Sequence, residues 1–476
     1  MLFTEAIFAF FLFITFLFFW LSKKSLNAQL ILLLAASYIF YAWWKVPFLS
    51  LIIFSSLLDF FLGKAIYRTD IKKRRKLYLY LSLAGNLGLL GYFKYAGFFI
   101  ESVASVLSGI GLDAHLPTLH IVLPVGISFY TFQSLSYTLD IYYRRIKPTS
   151  SLLKFLFFVA AFPQLVAGPI VRASEFLPQL NSNLFKKCND EGLFYIFYGL
   201  VKKLLIADFL GYLFVDAMFA APQDYTSVEL LFGLCCYAFQ IFFDFSAYSD
   251  IAIGLGKLFG LELPVNFLYP YTAKNLTEFW RKWHITLSTW VRDYLYMPTV
   301  MKRIKWGNWA TLYAVMISYF LIGLWHGANW NFIIFGLLHG VVICYEAFTK
   351  KRRTAISKRM PSFVHQNLGI LLTFSFWCFT LIFFRAGTLG NSMDYLNGIG
   401  QFSMGFSHFS FSIGALMLFI AVFVHYFCEP NLKRISKVFT DFHWTVRAVI
   451  FYGFFVLLSY LGEQGLSHEA FIYFQF

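Results

Sequence analysis

Two histidines stand in surroundings too apolar to solvate them. His326 closes the run Tyr319-Phe-Leu-Ile-Gly-Leu-Trp-His-Gly-Ala-Asn-Trp-Asn331, and His284 lies upstream in Glu278-Phe-Trp-Arg-Lys-Trp-His-Ile-Thr-Leu-Ser288. An ionisable group at membrane depth is a candidate for function, because lipid cannot solvate it. The spacing predicts a helix that ends near Trp325 or His326, with Asn329 capping the next one. A break there gathers unbonded backbone N–H groups and carbonyls around one imidazole. Such N–H groups can hold an oxyanion, and a neutral imidazole can take a proton from a hydroxyl. Those are the two parts that acyl transfer requires. Gly323 and Gly327 flank His326 and would admit another backbone or a substrate. The competing reading is a packed histidine bonded to a neighbouring carbonyl, and the bare residue leaves both open.

His284 needs an element to carry it. Asn275-Leu-Thr-Glu278 reads as a helix start, with a capping asparagine and a glutamate three residues on. Leu276, Trp280, Trp283, Leu287, Trp290 and Tyr294 then recur at steps of three and four, one apolar stripe of an amphipathic helix along or dipping into the interface. Glu278 can pair with Lys282 one turn on. His284 borders the stripe and can face a polar pocket with Ser288.

Two other clusters could contribute. Asp244 and Asp250 stand in the apolar run Gln240-Ile-Phe-Phe-Asp-Phe-Ser-Ala-Tyr-Ser-Asp250. They could line a polar pocket, pair with Arg281 or Arg292, or form a buried ion pair that fixes helix packing. Phe162-Pro-Gln-Leu-Val-Ala-Gly-Pro-Ile-Val-Arg172 carries two prolines and a glycine that should distort a helix, either as a simple kink or with Gln164 facing a cavity. His339 and His425 also lie in apolar runs, without flanking polar residues or an evident break, and read as structural.

Composition sets the frame. Of 476 residues, 59% are hydrophobic, 22% aromatic and 13% charged, with a mean hydropathy of +0.65. A soluble domain carries about 25% charged residues, so this is a polytopic membrane protein. The net charge of +15 falls in short clusters, among them Lys72–Lys76, Arg144-Arg145, Lys302–Lys305 and Lys350–Arg353. Basic loops beside a membrane have this form, which argues against nucleic acid as the partner. None of the six cysteines has metal-ligand spacing. Neither a metal nor disulfides are expected.

Apolar runs predict spans near 5–21, 28–43, 47–63, 77–93, 95–111, 121–143, 152–170, 193–217, 228–256, 309–325, 330–348, 367–384, 411–428 and 446–461. The first lacks a basic lead-in and a small-residue cleavage site, so it reads as a membrane helix and not a signal peptide. No soluble domain fits between the runs, and residues 1–476 read as one membrane domain, with 257–308 as an amphipathic or re-entrant segment within it. Simple alternation places Arg144-Arg145 on the wrong side of the membrane. Either 95–111 is not a full span, or the chain near Leu123-Pro-Val-Gly126 is re-entrant.

Five stretches carry a family resemblance: Phe162–Arg172, Phe243–Asp250, Asn266-Phe-Leu-Tyr-Pro-Tyr271, Glu278–Tyr294 and Leu324-Trp-His-Gly327. In that order they resemble the membrane-bound O-acyltransferases, in particular the bacterial branch that O-acetylates alginate and peptidoglycan. The resemblance covers nearly the whole chain. It implies an all-α bundle of about 11–14 membrane helices, some re-entrant, around a funnel or tunnel. It places the family's intramembrane histidine at His326 and its upstream polar catalytic position at His284. Substrate contacts are expected at Glu278, Arg281, Trp283, Ser288, Arg292, Asp293, Trp325, Asn329, Asn331 and Asp244. The implied donor is a cytosolic thioester, acetyl-CoA, with no bound cofactor. The implied acceptor is a polysaccharide, reached directly or through a separate extracytoplasmic serine hydrolase-like (SGNH) partner, at the bacterial inner membrane. D-alanyl transfer to teichoic acid, from a carrier protein, is the alternative within the same chemistry. A polysaccharide or lipid transporter is the alternative outside it.

Overall fold

The computed structural model describes residues 1–112, 121–405, 411–463 and 471–472, and helices are the only regular elements among them. Seven of these helices are long and apolar enough to cross a membrane: Val46–Arg68, Ser227–Leu258, Asn308–His326, Trp330–Phe348, Ser362–Arg385, Ser412–Asp441 and Trp444–Leu461. Ala6–Leu21 and Leu26–Ala42 are apolar but shorter. With the chain's composition, this is a multi-pass membrane protein. Ser227–Leu258 is buried over 83% of its apolar window, whereas Trp444–Leu461 is buried over only 6%. The first therefore faces protein and the second presents its apolar surface outward.

The chain forms two compact units, Met1–Gly192 with Leu255–Pro264, and Leu193–Gly254 with Val265–Phe476. In the first, the helices Leu49–Arg68, Lys72–Leu90 and Ile127–Tyr142 enclose Asp59, which accepts hydrogen bonds from the Ser82 hydroxyl (2.5 Å), the Asn86 amide (2.9 Å) and the Ser134 hydroxyl. Three donors on one carboxyl satisfy a group that would otherwise be costly to bury.

The anticipated span 152–170 is corrected here. The helix Leu152–Ala160 stops at nine residues. The chain then runs without regular structure to Arg172, yet Phe162, Gln164, Leu165, Ala167 and Val171 are all buried. Pro163 and Pro169 deny the backbone its helical donors. The chain near Leu123–Gly126 is irregular as well. Gly126 takes a left-handed φ of 75°, and a Cβ there would stand 2.7 Å from the Leu165 carbonyl oxygen. Ala96–Gly109 continues from Lys72–Leu90 through the π-helical turn Gly91–Tyr95. Regular helix is thus interrupted at Leu123–Gly126, while residues 113–120 lie outside the described segments.

In the second unit, Asn308–His326 and Trp330–Phe348 form a tight hairpin. A Cβ on Gly323 would sit 2.2 Å from the Phe332 carbonyl oxygen, and one on Gly336 would sit 2.2 Å from that of Tyr319. The space beside Gly323 is thus taken by the next helix's own backbone. Gly327 is likewise covered, by the Phe332 ring. Of the two occupants anticipated beside these glycines, another backbone or a substrate, the chain itself is the one observed.

Candidate active site

The single amphipathic helix anticipated from Asn275 onward is two helices, Leu276–Trp280 and Ile285–Val291. The start is as anticipated: Asn275 Oδ1 accepts the Glu278 N–H (2.8 Å), and Glu278 pairs with Lys282 (2.8 Å). The helix then breaks, and His284 stands in the gap with left-handed φ 42° and ψ 55°. A residue with a Cβ rarely adopts this conformation unless its surroundings impose it. Nor does the stripe lie on an open surface, because Leu276, Trp280, Trp283, Leu287, Trp290 and Tyr294 are buried in protein. Glu346, the only acid of its helix, helps to anchor the first piece. Its carboxylate accepts the Leu276 and Thr277 N–H groups (2.7 and 2.9 Å) and the Thr277 hydroxyl (2.6 Å). A negative charge on unbonded N–H groups at a helix start is favourable for both.

His284 has no exposed surface. The Phe245 ring meets it edge-on at 4.8 Å between centroids, and Phe267 and Trp325 lie at 6.4 and 5.8 Å. Its Nδ1 lies 3.1 Å from Asn266 Oδ1. Burial lowers its pKa from the usual 6.5 to about 3, which keeps the imidazole neutral.

His326 is the last residue of its helix, as the sequence indicates, and is buried. Its ring contacts Trp325 (4.9 Å), Phe384 (5.1 Å) and Phe335 (5.8 Å). Trp325 therefore touches both histidines, and a single indole links the two candidate catalytic groups. Asn329 caps the next helix by accepting the Asn331 N–H (2.9 Å). That removes the Asn331 N–H from the unbonded donors anticipated at this helix break. Asn331 is itself buried, and its Nδ2 donates to the Ser392 hydroxyl (3.2 Å).

The remaining expected contacts divide into two groups. Trp283 packs in an aromatic cluster with Phe279, Phe267 and Trp377, and the Ser288 hydroxyl bonds back to the Trp283 carbonyl. Arg281 is exposed, and Arg292 is clamped to its neighbour Asp293 (2.7 and 3.1 Å). Asp244 pairs with neither arginine. It accepts from Lys203 Nζ at 2.7 Å, and the same ammonium meets Asp208 at 2.7 Å. Next to it, Lys202 meets Asp250 (2.7 Å) and Glu429 (2.8 Å). The buried ion-pair reading of Asp244 and Asp250 therefore describes their geometry. The lysines that complete it were visible as an odd Lys-Lys pair inside an apolar run.

His339 and His425 have structural settings. His339 Nδ1 accepts the Trp280 indole N–H (3.2 Å). Its Nε2 lies 3.1 Å from the Thr380 hydroxyl, whose own proton goes to the Trp377 carbonyl (2.8 Å). Both nitrogens are engaged and the tautomer is fixed. His425 Nε2 accepts the Tyr271 N–H (3.1 Å). Unlike the unbroken helix anticipated around it, His425 sits in a π-helical turn, Val424–Cys428. Two residues outside the expected site contacts also matter, Asn266 and Glu346. A lone acid near the end of an apolar run was the available signal for Glu346. For Asn266 the signal was weaker, an amide in the run Leu263-Pro-Val-Asn-Phe267.

Comparison with known proteins identifies the family. Residues 142–386 match the model of the membrane-bound O-acyltransferase family, a segment that holds both His284 and His326. A probable alginate O-acetylase of Pseudomonas putida is 41% identical over 318 residues, 66% of this chain and 64% of that protein. The peptidoglycan O-acetyltransferase of Helicobacter pylori is 36% identical over 419 residues, 82% of this chain and 77% of that protein. A teichoic acid D-alanyltransferase of Bacillus subtilis is 31% identical over 284 residues, 57% of this chain and 70% of that protein. The match spans just under two thirds of the length of the Pseudomonas relative. The chain belongs to the membrane-bound O-acyltransferase family.

Proposed function

We propose that this protein moves an acetyl group from a cytosolic thioester, acetyl-CoA, across the inner membrane for O-acetylation of an exported polysaccharide such as alginate or peptidoglycan. The observation that carries the reading is that the family match contains the two buried histidines joined through Trp325. An acceptor hydroxyl attacks the thioester carbonyl carbon, the C–O bond forms and the C–S bond breaks. A neutral imidazole takes the hydroxyl proton and returns it to the departing thiolate. The N–H groups that follow His326 hold the oxyanion. Trp325, Trp283 and the neighbouring rings exclude water, which would otherwise hydrolyse the thioester. The acceptor hydroxyl belongs to the polymer itself or to a separate extracytoplasmic serine hydrolase-like partner that completes delivery. Arg281, an exposed cation among the expected contacts, would attract the anionic donor.

D-alanyl transfer to teichoic acid is the second reading, supported by the lower identity to the Bacillus subtilis enzyme. Deletion of the gene, followed by assay of ester-linked acetate and D-alanine on the cell envelope, separates the two. Loss of acetate alone is expected, and loss of D-alanine alone would replace the reading. Acetate unchanged in cells carrying only His326→Gln would overturn the assignment of this site.

A further inference from the structure

We infer that Asn266 is a positioning residue that fixes the tautomer of His284, so that Nε2 and not Nδ1 is its basic nitrogen. The inference rests on the acyl-transfer reading above and says which atom of this histidine would receive the proton. Asn266 is buried, with 1% of its surface exposed. Its side-chain oxygen lies 3.2 Å from the backbone N–H of Thr286 and 2.9 Å from the Thr286 hydroxyl. A backbone N–H can only donate, so the amide presents its oxygen on this side, and the Nδ2 group faces the Ser249 hydroxyl at 3.3 Å. That same oxygen lies 3.1 Å from His284 Nδ1. An amide oxygen only accepts, so Nδ1 carries the proton. A neutral imidazole then has its lone pair on Nε2.

The backbone holds this arrangement from both sides. The Ile285 N–H donates to the Asn266 carbonyl (2.9 Å), and the Leu268 N–H donates to the Lys282 carbonyl (2.9 Å). These two bonds stitch the loop around Asn266 across the gap in which His284 takes its left-handed conformation. One asparagine thereby sets the backbone, the ring orientation and the proton position of one histidine.

An amide and a carboxylate in this place would differ in one respect. Both accept from Nδ1–H, but a carboxylate also stabilises the imidazolium and raises the pKa of the ring. Five neutral residues lie against His284: Phe245 from Ser227–Leu258, Phe267 and Asn266 from the loop, Thr286 from the helix that follows, and Trp325 from Asn308–His326. The elements that carry these neighbours also hold Asp244 and Asp250, paired with Lys203 and Lys202, Glu229 and Lys257 toward the two ends of Ser227–Leu258, and His326 beyond Trp325. The amide therefore holds the ring without charging it. On reaction the acceptor hydroxyl proton passes to Nε2, Nδ1–H stays on Asn266, and the Nε2 proton leaves with the thiolate.

The test uses the full-length protein with Asn266→Leu, Asn266→Asp and His284→Gln, assayed with labelled acetyl-CoA across pH. Histidine ¹⁵N NMR is recorded in parallel, with the His284 signal assigned by its loss in His284→Gln. The wild type is expected to show protonated Nδ1 and bare Nε2. Asn266→Leu should mix the tautomers and lower kcat at least about tenfold with little change in KM. Asn266→Asp should retain Nδ1–H, recover part of the activity lost in Asn266→Leu, and move the acid limb of the rate profile upward by about one pH unit or more. A bare Nδ1 in the wild type overturns the inference. So do wild-type rates and pH profiles in both Asn266 variants when His284→Gln is inactive. If His284→Gln is itself active, the role of His284 in acyl transfer fails, and the NMR result still decides the tautomer.

Discussion

His339 sits in the middle of an unbroken helix, and side chains from two other helices hold both of its nitrogens. His284 sits in a gap between two short helices, in left-handed backbone, with Nδ1 held by an amide and its ring walled by Phe245, Phe267 and Trp325. Both imidazoles are fully buried, so burial does not distinguish them. Backbone and partners do. At His339 the ring is a bridge, receiving from Trp280 and giving to Thr380, and a reacting proton would break that bridge. At His284 the protein has placed a residue where its backbone is unfavourable, a cost that persists only where the surroundings enforce it.

The sharpest way to break this contrast is to remove each ring in turn. His284→Gln and His326→Gln should each lower polymer acetylation by about a hundredfold or more at unchanged protein level. His339→Gln should keep the rate within about tenfold while lowering thermal stability. Labelled acetate on the polymer, together with the melting temperature of detergent-purified protein, reads both. Equal loss of activity in all three variants would erase the distinction.

Glu346 connects the two histidines, because the helix it anchors carries Trp280 and leads into His284. Glu346→Ala leaves three donors without their acceptor and should cost about 3 kcal/mol or more. Activity should fall with stability. A smaller effect is expected from Thr380→Val, which removes the acceptor for His339 Nε2–H. It should cost about 1–2 kcal/mol with the acetylation rate unchanged. A change in rate without a change in stability would give His339 a role in the chemistry.

The smallest effect concerns pH. The folded-state pKa of His284, about 3, lies below its ordinary 6.5, so the fold favours the neutral ring. Its contribution to stability is complete above about 6.5 and is lost as the pH falls from there toward 3. Between about pH 7 and about pH 5, the wild type should lose more melting temperature than His284→Gln. An equal loss in both proteins would show that His284 is not held neutral.

Much of this was legible in the chain. Hydropathy marks the long apolar helices because lipid demands them, and the caps at Asn275 and Asn329 are local chemistry written in three or four residues. The break after Trp280 was hidden because the apolar stripe continues in step across it. Nothing local in Lys282-Trp-His284 forbids a helix, and long-range bonds from residues 266 and 268 create the gap. The partner of Asp244 was missed for a similar reason. Arg281 and Arg292 are near the site in sequence, whereas Lys203 meets Asp244 only once the helices pack. The end of the 152–170 run was signalled by its prolines, but its burial depends on the fold and not on local propensity.

The two adjacent lysines have a consequence for how the chain enters the membrane. A lysine at the centre of an inserting helix costs about 2.5–3.5 kcal/mol, so a segment with Lys202 beside Lys203 is a poor passenger on its own. Lys203 has one partner in its own segment, Asp208, but Asp244 and Asp250 arrive only with the Ser227–Leu258 helix. The earlier segment is therefore expected to wait in a protected, hydrated place until the later one is synthesised, and the two would partition into lipid with their charges paired. Biogenesis of this protein would then be cooperative between neighbouring helices, and charge-removing substitutions at Asp244 would act on the yield of inserted protein before they act on any reaction.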